Sequence, residues 1–213
     1  MHRTLQPELL DSLAPDDPAA IHNRRDLHLT NRIMGNHRWL ARVLPDLLRP
    51  GELVLELGAG TGELGLRLAQ TKVPVDGLDL WPRPETWPSA RAWHRVDLRQ
   101  FPAYADYAAV MGNLIFHQFS DEDLASLGTA LRRHARIIIA CEPSRRRLSQ
   151  VLFRTFGPLF GANQISLHDA HVSIAAGFRG DELPRALGLS SDAWNCHCTT
   201  TALGAYRMIT LRR

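Results

Sequence analysis

The stretch VLELGAGTGELG, Val54 to Gly65, constrains the fold more than any other part of the chain. An apolar run, ELVLEL, carries an acid, Glu56, at its end and gives way to a loop holding Gly58, Gly60 and Gly62. A helical pattern, GELGLRLAQ, follows at once. A strand that turns into a helix through glycines is the opening βα unit of a parallel α/β sheet. At its carboxyl end the loop backbone can touch a ligand, and the helix N-terminus attracts negative charge. Two ligand classes use such a corner. A dinucleotide asks for G-x-G-x-x-G, and Gly60, Gly62 and Gly65 satisfy it; Gly58, however, takes the place directly after the strand, and Glu56 is awkward beside a diphosphate. For a ligand with an ammonium group, Glu56 is an asset.

The rest of the chain extends the alternation. VPVDGLDL, ARAWHRVDL, YAAVMGNLIF and ARIIIACEP read as strands. DEDLASLGTALRRH reads as a helix opened by a capping box at Ser120 and Asp123. The proline-rich link WPRPETWPSARAW argues against a long helix between the second and third strands. Two helices are expected ahead of the glycine loop, around Asp26 to Met34 and Arg38 to Leu48, ended by Pro50-Gly51. Beyond Pro143, RRRLSQVLFRTFGPLFG places Leu148, Val151, Leu152, Phe156, Leu159 and Phe160 at helical spacing, with a break expected near Gly157-Pro158. RGDELPRALG reads as a short helix. DAWNCHCTT and GAYRMITLRR read as a terminal hairpin, with Cys196 and Cys198 on one face and His197 on the other, an arrangement that does not gather them on one metal ion.

The expected fold is therefore α/β and Rossmann-like: a seven-stranded, mostly parallel sheet with a terminal antiparallel hairpin, an N-terminal helical extension and a helical cap insertion. The 213 residues suit one domain. It divides into an extension (1–49), a ligand-binding core (50–142), the cap (143–180), and a last helix with the hairpin (181–213). No run reaches the roughly 20 apolar residues of a bilayer span, and no signal-peptide pattern opens the chain. The three cysteines form no disulfide framework. A cytoplasmic protein without a membrane partner is expected, as monomer or homodimer. The net charge of +3 is spread through the chain, its positive part almost all arginine, and no aromatic-basic run marks a nucleic-acid surface.

On the residues VLELGAGTG, the chain resembles the class I S-adenosylmethionine-dependent methyltransferases of small-molecule type, from about Pro50 to Arg213 in order of elements. The resemblance is specific in the first motif and looser after it. It implies that Gly58, Ala59, Gly60 and Gly62 pack against the methionine part of S-adenosyl-L-methionine and that Glu56 helps hold its amino group. Asp79 would accept from the ribose hydroxyls, with Leu80 beside it. Asp97, in RVDL, would accept from the adenine amino group, with Leu98 offering its amide, and Gly112 and Asn113 would border the cofactor. GNLIFHQF resembles the NLxLHHF segment of the same family and sets His117 where it would orient a hydroxyl or take its proton. SLHDAHV offers another arrangement, His168 and His171 around Asp169, with a polar loop as the plainer reading. No metal site is expected. The implied activity is methylation of a small apolar or aromatic acceptor at oxygen. Methylation at nitrogen or carbon, a dinucleotide-binding oxidoreductase and a catalytically silent cofactor-binding protein stand as alternatives.

Overall fold

Asp17 and Pro18 start the first long helix. The Asp17 carboxylate accepts from the Ala19 N–H at 2.7 Å, and Pro18 occupies the first turn, where a missing N–H costs nothing. The structure, a computed structural model, describes residues 1–14 and 17–213. Helix α1 (Pro18–Met34) ends at Gly35 in the left-handed region (φ 67°), and α2 (Asn36–Leu47) departs from the same residue. The helix thus begins eight residues earlier than expected: PAAIHNRR offers no apolar stripe to read, and the signal lies in the cap.

Seven strands follow: β1 (Val54–Leu57), β2 (Val75–Asp79), β3 (Trp93–Arg95), β4 (Ala109–Asn113), β5 (Ile137–Pro143), β6 (Trp194–Thr200) and β7 (Ala205–Arg212). They form one sheet in the order β3-β2-β1-β4-β5-β7-β6, with β7 antiparallel to both neighbours. Helices α3 (Glu63–Ala69), α4 (Asp121–His134), α5 (Arg147–Phe156), α6 (Gln164–Ala176) and α7 (Glu182–Ala186) complete the order. Alternate residues of the central strands enter opposite cores. Ile138 and Ala140 join Leu55, Leu57 and Val110 on one face; Ile137, Ile139 and Cys141 join Val54, Ala109 and Met111 on the other. Burial on both faces is why these strands read as continuous apolar runs. The sheet order reverses between β1 and β4, so the loops after those two strands flank the crevice where open α/β sheets bind ligands.

Glycine does packing work here too. A Cβ at Gly65 would lie 2.4 Å from the Trp87 ring, so Gly65 makes room for a tryptophan from the β2–β3 link. That answers the third glycine of the dinucleotide pattern. The link itself forms no helix, in keeping with its prolines. Ser120 caps α4 as expected: its Oγ accepts from the Asp123 N–H at 3.0 Å and donates to the Asp123 carboxylate at 2.8 Å.

Two expectations need correction. SLHDAHV is no loop but the middle of α6, opened by Asn163, whose side chain accepts from the Ser166 N–H at 2.8 Å. The apolar stripe of α5, which helical spacing alone would set against the core, contributes nothing to it, since no residue of α5 is buried. The break at Gly157-Pro158 falls as read, with a 3₁₀ turn over Gly157–Phe160.

Candidate functional site

The glycine loop stands at the carboxyl end of β1 with Gly58, Gly60 and Gly62 all at positive φ. Gly60 is the informative one. A Cβ there would meet nothing within 4 Å, so the loop offers an open backbone face. Asp79 pins this loop to the end of β2, accepting from the Gly60 N–H at 2.7 Å and the Trp81 N–H at 2.8 Å. Gly58 and Ala59 donate to the Leu78 carbonyl at 2.9 and 3.2 Å. Leu80 stands 65% exposed beside them. Beneath the loop, Glu56 is buried, and its Oε2 has no hydrogen-bond partner. Burial, then the charge of Asp79, push the Glu56 carboxyl up to about 8, against a pull from the Gly65 amide. A buried acid with one unpartnered oxygen beside an open backbone cradle fits a ligand that brings positive charge, whereas a diphosphate would face the carboxylate of Asp79.

Asp97 caps the 3₁₀ turn Leu98–Gln100. Its two oxygens take the Arg99 guanidinium, at 2.6 Å from Nη2 and 3.0 Å from Nε, and Arg99 holds the carboxyl below its ordinary range. An adenine amino group would share this acid with an arginine that the sequence reading did not consider. Leu98 is buried, and its carbonyl accepts from the Tyr104 hydroxyl at 2.7 Å.

Across the crevice, Asn113 ends β4. Its amide donates to Asn31 at 3.0 Å and its carbonyl accepts from Asn36 at 3.1 Å. These asparagines come from α1 and α2, so the N-terminal extension closes over the switch point between β1 and β4. Arg24 of α1 stacks 5.2 Å over the Trp81 ring, and His28 pairs with Glu63 at the start of α3. Immediately after Asn113, Leu114 adopts φ 60°. A left-handed leucine is strained, and such strain is held only where surroundings over-determine it; here the Leu114 N–H is fixed to the Cys141 carbonyl at 2.8 Å. Gly112 is enclosed by Ile115 and Phe116.

His117 follows, 3% exposed. Its Nδ1 faces Glu142 at 2.6 Å and its Nε2 faces Glu8 at 3.3 Å. Burial alone would lower its pKa; the two carboxylates outweigh burial and push it up to about 9. As an imidazolium it donates from both nitrogens, so it presents no free base to an acceptor. Glu142, at the end of β5, also accepts from the backbone N–H groups of Ile115, Phe116 and His117 at 3.0, 2.9 and 3.2 Å. One carboxylate thereby shapes the whole turn after β4. Neither Glu8 nor this role of Glu142 was visible in the sequence. The other histidines play different parts. His168 does touch Asp169, at 3.1 Å, although adjacent residues need not meet. Asp169 is spent on structure, accepting from the Leu9 and Leu10 N–H groups at 2.7 and 3.1 Å and from Asn23 at 3.1 Å. His171 is exposed, and its carbonyl holds Gln150 at 3.0 Å. Arg145 pairs with Glu182 and donates to the carbonyls of Met1 and Gly177.

Between α1 and the cap lies a groove of about 230 Å³, lined by Leu29 and Ile33 on one side and Leu152, Phe153, Phe156 and Phe160 on the other, with Asp26 and Thr30 as polar members. Thr30 in the groove and Asn31 on Asn113 are successive residues, so α1 borders both the groove and the switch-point crevice.

No protein-family model matches the sequence, and no curated protein does. Solved structures match its fold. The plantazolicin methyltransferase BpumL, in complex with a triazolic desmethylPZN analog and SAH, aligns at a TM-score of 0.72 and 10% identity over 96% of this chain and 93% of that one. The magnesium protoporphyrin IX methyltransferase from Synechocystis PCC 6803, with bound SAH, aligns at 0.54 and 19% identity over 88% and 84%. A structure described under the conversion of a disulfide bond into a thioacetal group during echinomycin biosynthesis aligns at 0.57 and 20% identity over 83% and 80%. At these identities the common property is the Rossmann-like methyltransferase fold.

Proposed function

We propose that the chain is an S-adenosylmethionine-dependent methyltransferase acting at an oxygen of a small apolar or aromatic acceptor. The observation that carries this reading is the corner at β1, where an open glycine face, the unpartnered Oε2 of Glu56 and the loop-pinning carboxylate of Asp79 meet. Bound S-adenosylmethionine supplies an electrophilic methyl group on a sulfonium sulfur. Glu56 would answer the cofactor's positive charge, Asp79 its ribose hydroxyls, and Asp97 its adenine, with Asn113 bordering the reacting edge. The groove between α1 and the cap would hold the acceptor and keep water away. His117, already charged on both sides, acts as a positioning residue. That suits an acidic hydroxyl, which reacts as its anion and needs alignment more than a protein base. Calorimetry tests the assignment: SAM and SAH should bind and NAD should not. Binding of NAD with no response to either would overturn it.

Glu56 makes the cofactor assignment testable through protons. With its pKa near 8, the carboxyl is mostly protonated at pH 7, and a cationic ligand stabilises the charged form. Binding should therefore release a fraction of a proton at pH 7, seen as a heat that scales with buffer ionisation enthalpy. Glu56→Gln should abolish that dependence; an identical dependence in the variant would place the titrating group elsewhere.

The groove gives a second expected outcome. Phe153→Ala and Phe156→Ala remove apolar surface from its wall without opening the core, because both rings are at least partly exposed. Each should raise the acceptor KM about tenfold while leaving the melting temperature nearly unchanged. A large loss of stability with unaltered KM would return these rings to packing.

A further inference from the structure

Several large apolar side chains of the cap face solvent. Leu148, Val151, Leu159 and Phe160 are 65%, 59%, 77% and 62% exposed. Leu203, 65% exposed, stands beside them on the turn between β6 and β7, since a Cβ at the adjacent Gly204 would lie 3.1 Å from the Ser149 hydroxyl. Single exposed leucines are ordinary; a group concentrated on one helix, the turn that follows it and the adjacent β6–β7 turn marks an interaction surface. The groove does not account for it, because Leu148, Val151, Leu159 and Leu203 are not among the groove's lining residues.

The charge around this surface selects its partner. Between Glu142 and Asp169 the chain has no carboxylate, yet it carries Arg145, Arg146, Arg147 and Arg154. Arg145 is buried against Glu182. Arg146, Arg147 and Arg154 are exposed, and among the described residues no carboxylate pairs with them. They begin α5 and recur on its last turn, so they flank the leucines. A second copy of the chain, paired face to face, would set these arginines against their equivalents. An apolar strip flanked by unpaired arginines fits a sheet of apolar chains under anionic headgroups.

We propose that the face formed by α5, the Gly157–Phe160 turn and Leu203 docks on the surface of an anionic lipid bilayer. The leucines enter the boundary between headgroups and acyl chains while the three arginines meet the lipid phosphates and carboxylates. This is docking, with no span. Among the described residues no helix is long and apolar enough to cross a membrane, and surface docking requires none. The groove borders the same helix through Leu152, Phe153 and Phe156, which would let a lipophilic acceptor pass from the bilayer to the site.

Sedimentation with vesicles tests the docking without any cofactor or acceptor, so its outcome is independent of the methyltransferase reading. The full-length chain should sediment with phosphatidylcholine vesicles containing phosphatidylserine and not with phosphatidylcholine alone, and high salt should release it. The double variant Leu148→Ser/Leu159→Ser should bind at least about tenfold more weakly at an unchanged melting temperature, because both side chains already face solvent. Arg147→Glu/Arg154→Glu should abolish binding at low salt. No sedimentation with the anionic vesicles, or equal sedimentation with neutral ones, would overturn the proposal. So would a homodimer that Leu148→Ser/Leu159→Ser converts to monomer, since that would make the face a protein interface.

Discussion

Asp79→Ala should weaken S-adenosylmethionine binding by roughly 30- to 1,000-fold, the equivalent of about 2–4 kcal/mol for a charge-assisted contact to two hydroxyls with incomplete additivity. The structure adds a second reason. Asp79 accepts from the Gly60 and Trp81 N–H groups, so its loss also frees the loop that forms the cofactor cradle. Calorimetry with SAH measures the affinity, and a thermal melt separates ligand loss from unfolding, because for a chain of this size each kcal/mol shifts the midpoint by only about 2–4 °C. A third readout follows from coupling. Asp79 is one of the two causes holding the Glu56 carboxyl up, so its removal should let Glu56 ionise more readily and reduce the protons released at whatever binding survives. An affinity equal to wild type would place the ribose away from β2 and undo the site.

The residues of this corner were legible because their signals are local. Gly58 to Gly62 must follow a strand and precede a helix, and the acids at Glu56, Asp79 and Asp97 lie at strand ends that apolar runs mark out. The seven strands were legible for the same reason. Helix α6 was not: Ile165, Leu167, Val172 and Ile174 fall on different sides of it, so no stripe appears, and contacts with α1, α5 and β5 on several sides explain why none is needed. The stripe of α5 showed the opposite failure. Periodicity announces an apolar face but carries no information about what covers it, and here no residue of α5 is buried. Least legible was the surroundings of His117. Its partners lie 109 and 25 residues away in sequence, at Glu8 and Glu142, and no spacing rule joins them. Reading His117 alone gives a histidine of ordinary pKa near a reacting edge. Placed between two carboxylates it becomes a fixed cation that organises the turn after β4.

That organisation predicts the largest stability effect in the chain. Glu142 is fully buried and satisfies three backbone N–H groups and one imidazolium at once. Glu142→Ala would leave all of them unpaired in a buried site, a loss of roughly 3–5 kcal/mol, or about 6–20 °C in melting temperature. Glu142→Gln should recover little, because its amide turns a donor toward groups that are themselves donors. The pH dependence follows from the shifts. His117 is raised from 6.5 to about 9 on folding, so its contribution is complete below pH 6.5 and disappears as pH rises through 9. Glu8 is lowered from 4.5: burial, the largest single effect, raises it, but the hydrogen bond and charge of His117 together with hydrogen bonds to Ser173 and Gln118 outweigh burial, so its contribution is present above pH 4.5 and disappears as pH falls through its folded value. Glu56, raised from 4.5 to about 8, also favours the folded state less as pH rises, which is why the variant comparison decides the matter. Wild-type melting temperature should fall between pH 7 and 9.5 more steeply than that of His117→Gln, the difference being the imidazolium held by Glu142 and Glu8. Parallel curves for the two proteins over that interval would mean that His117 is neutral in the fold, and its free nitrogen would return it to the reaction as a base.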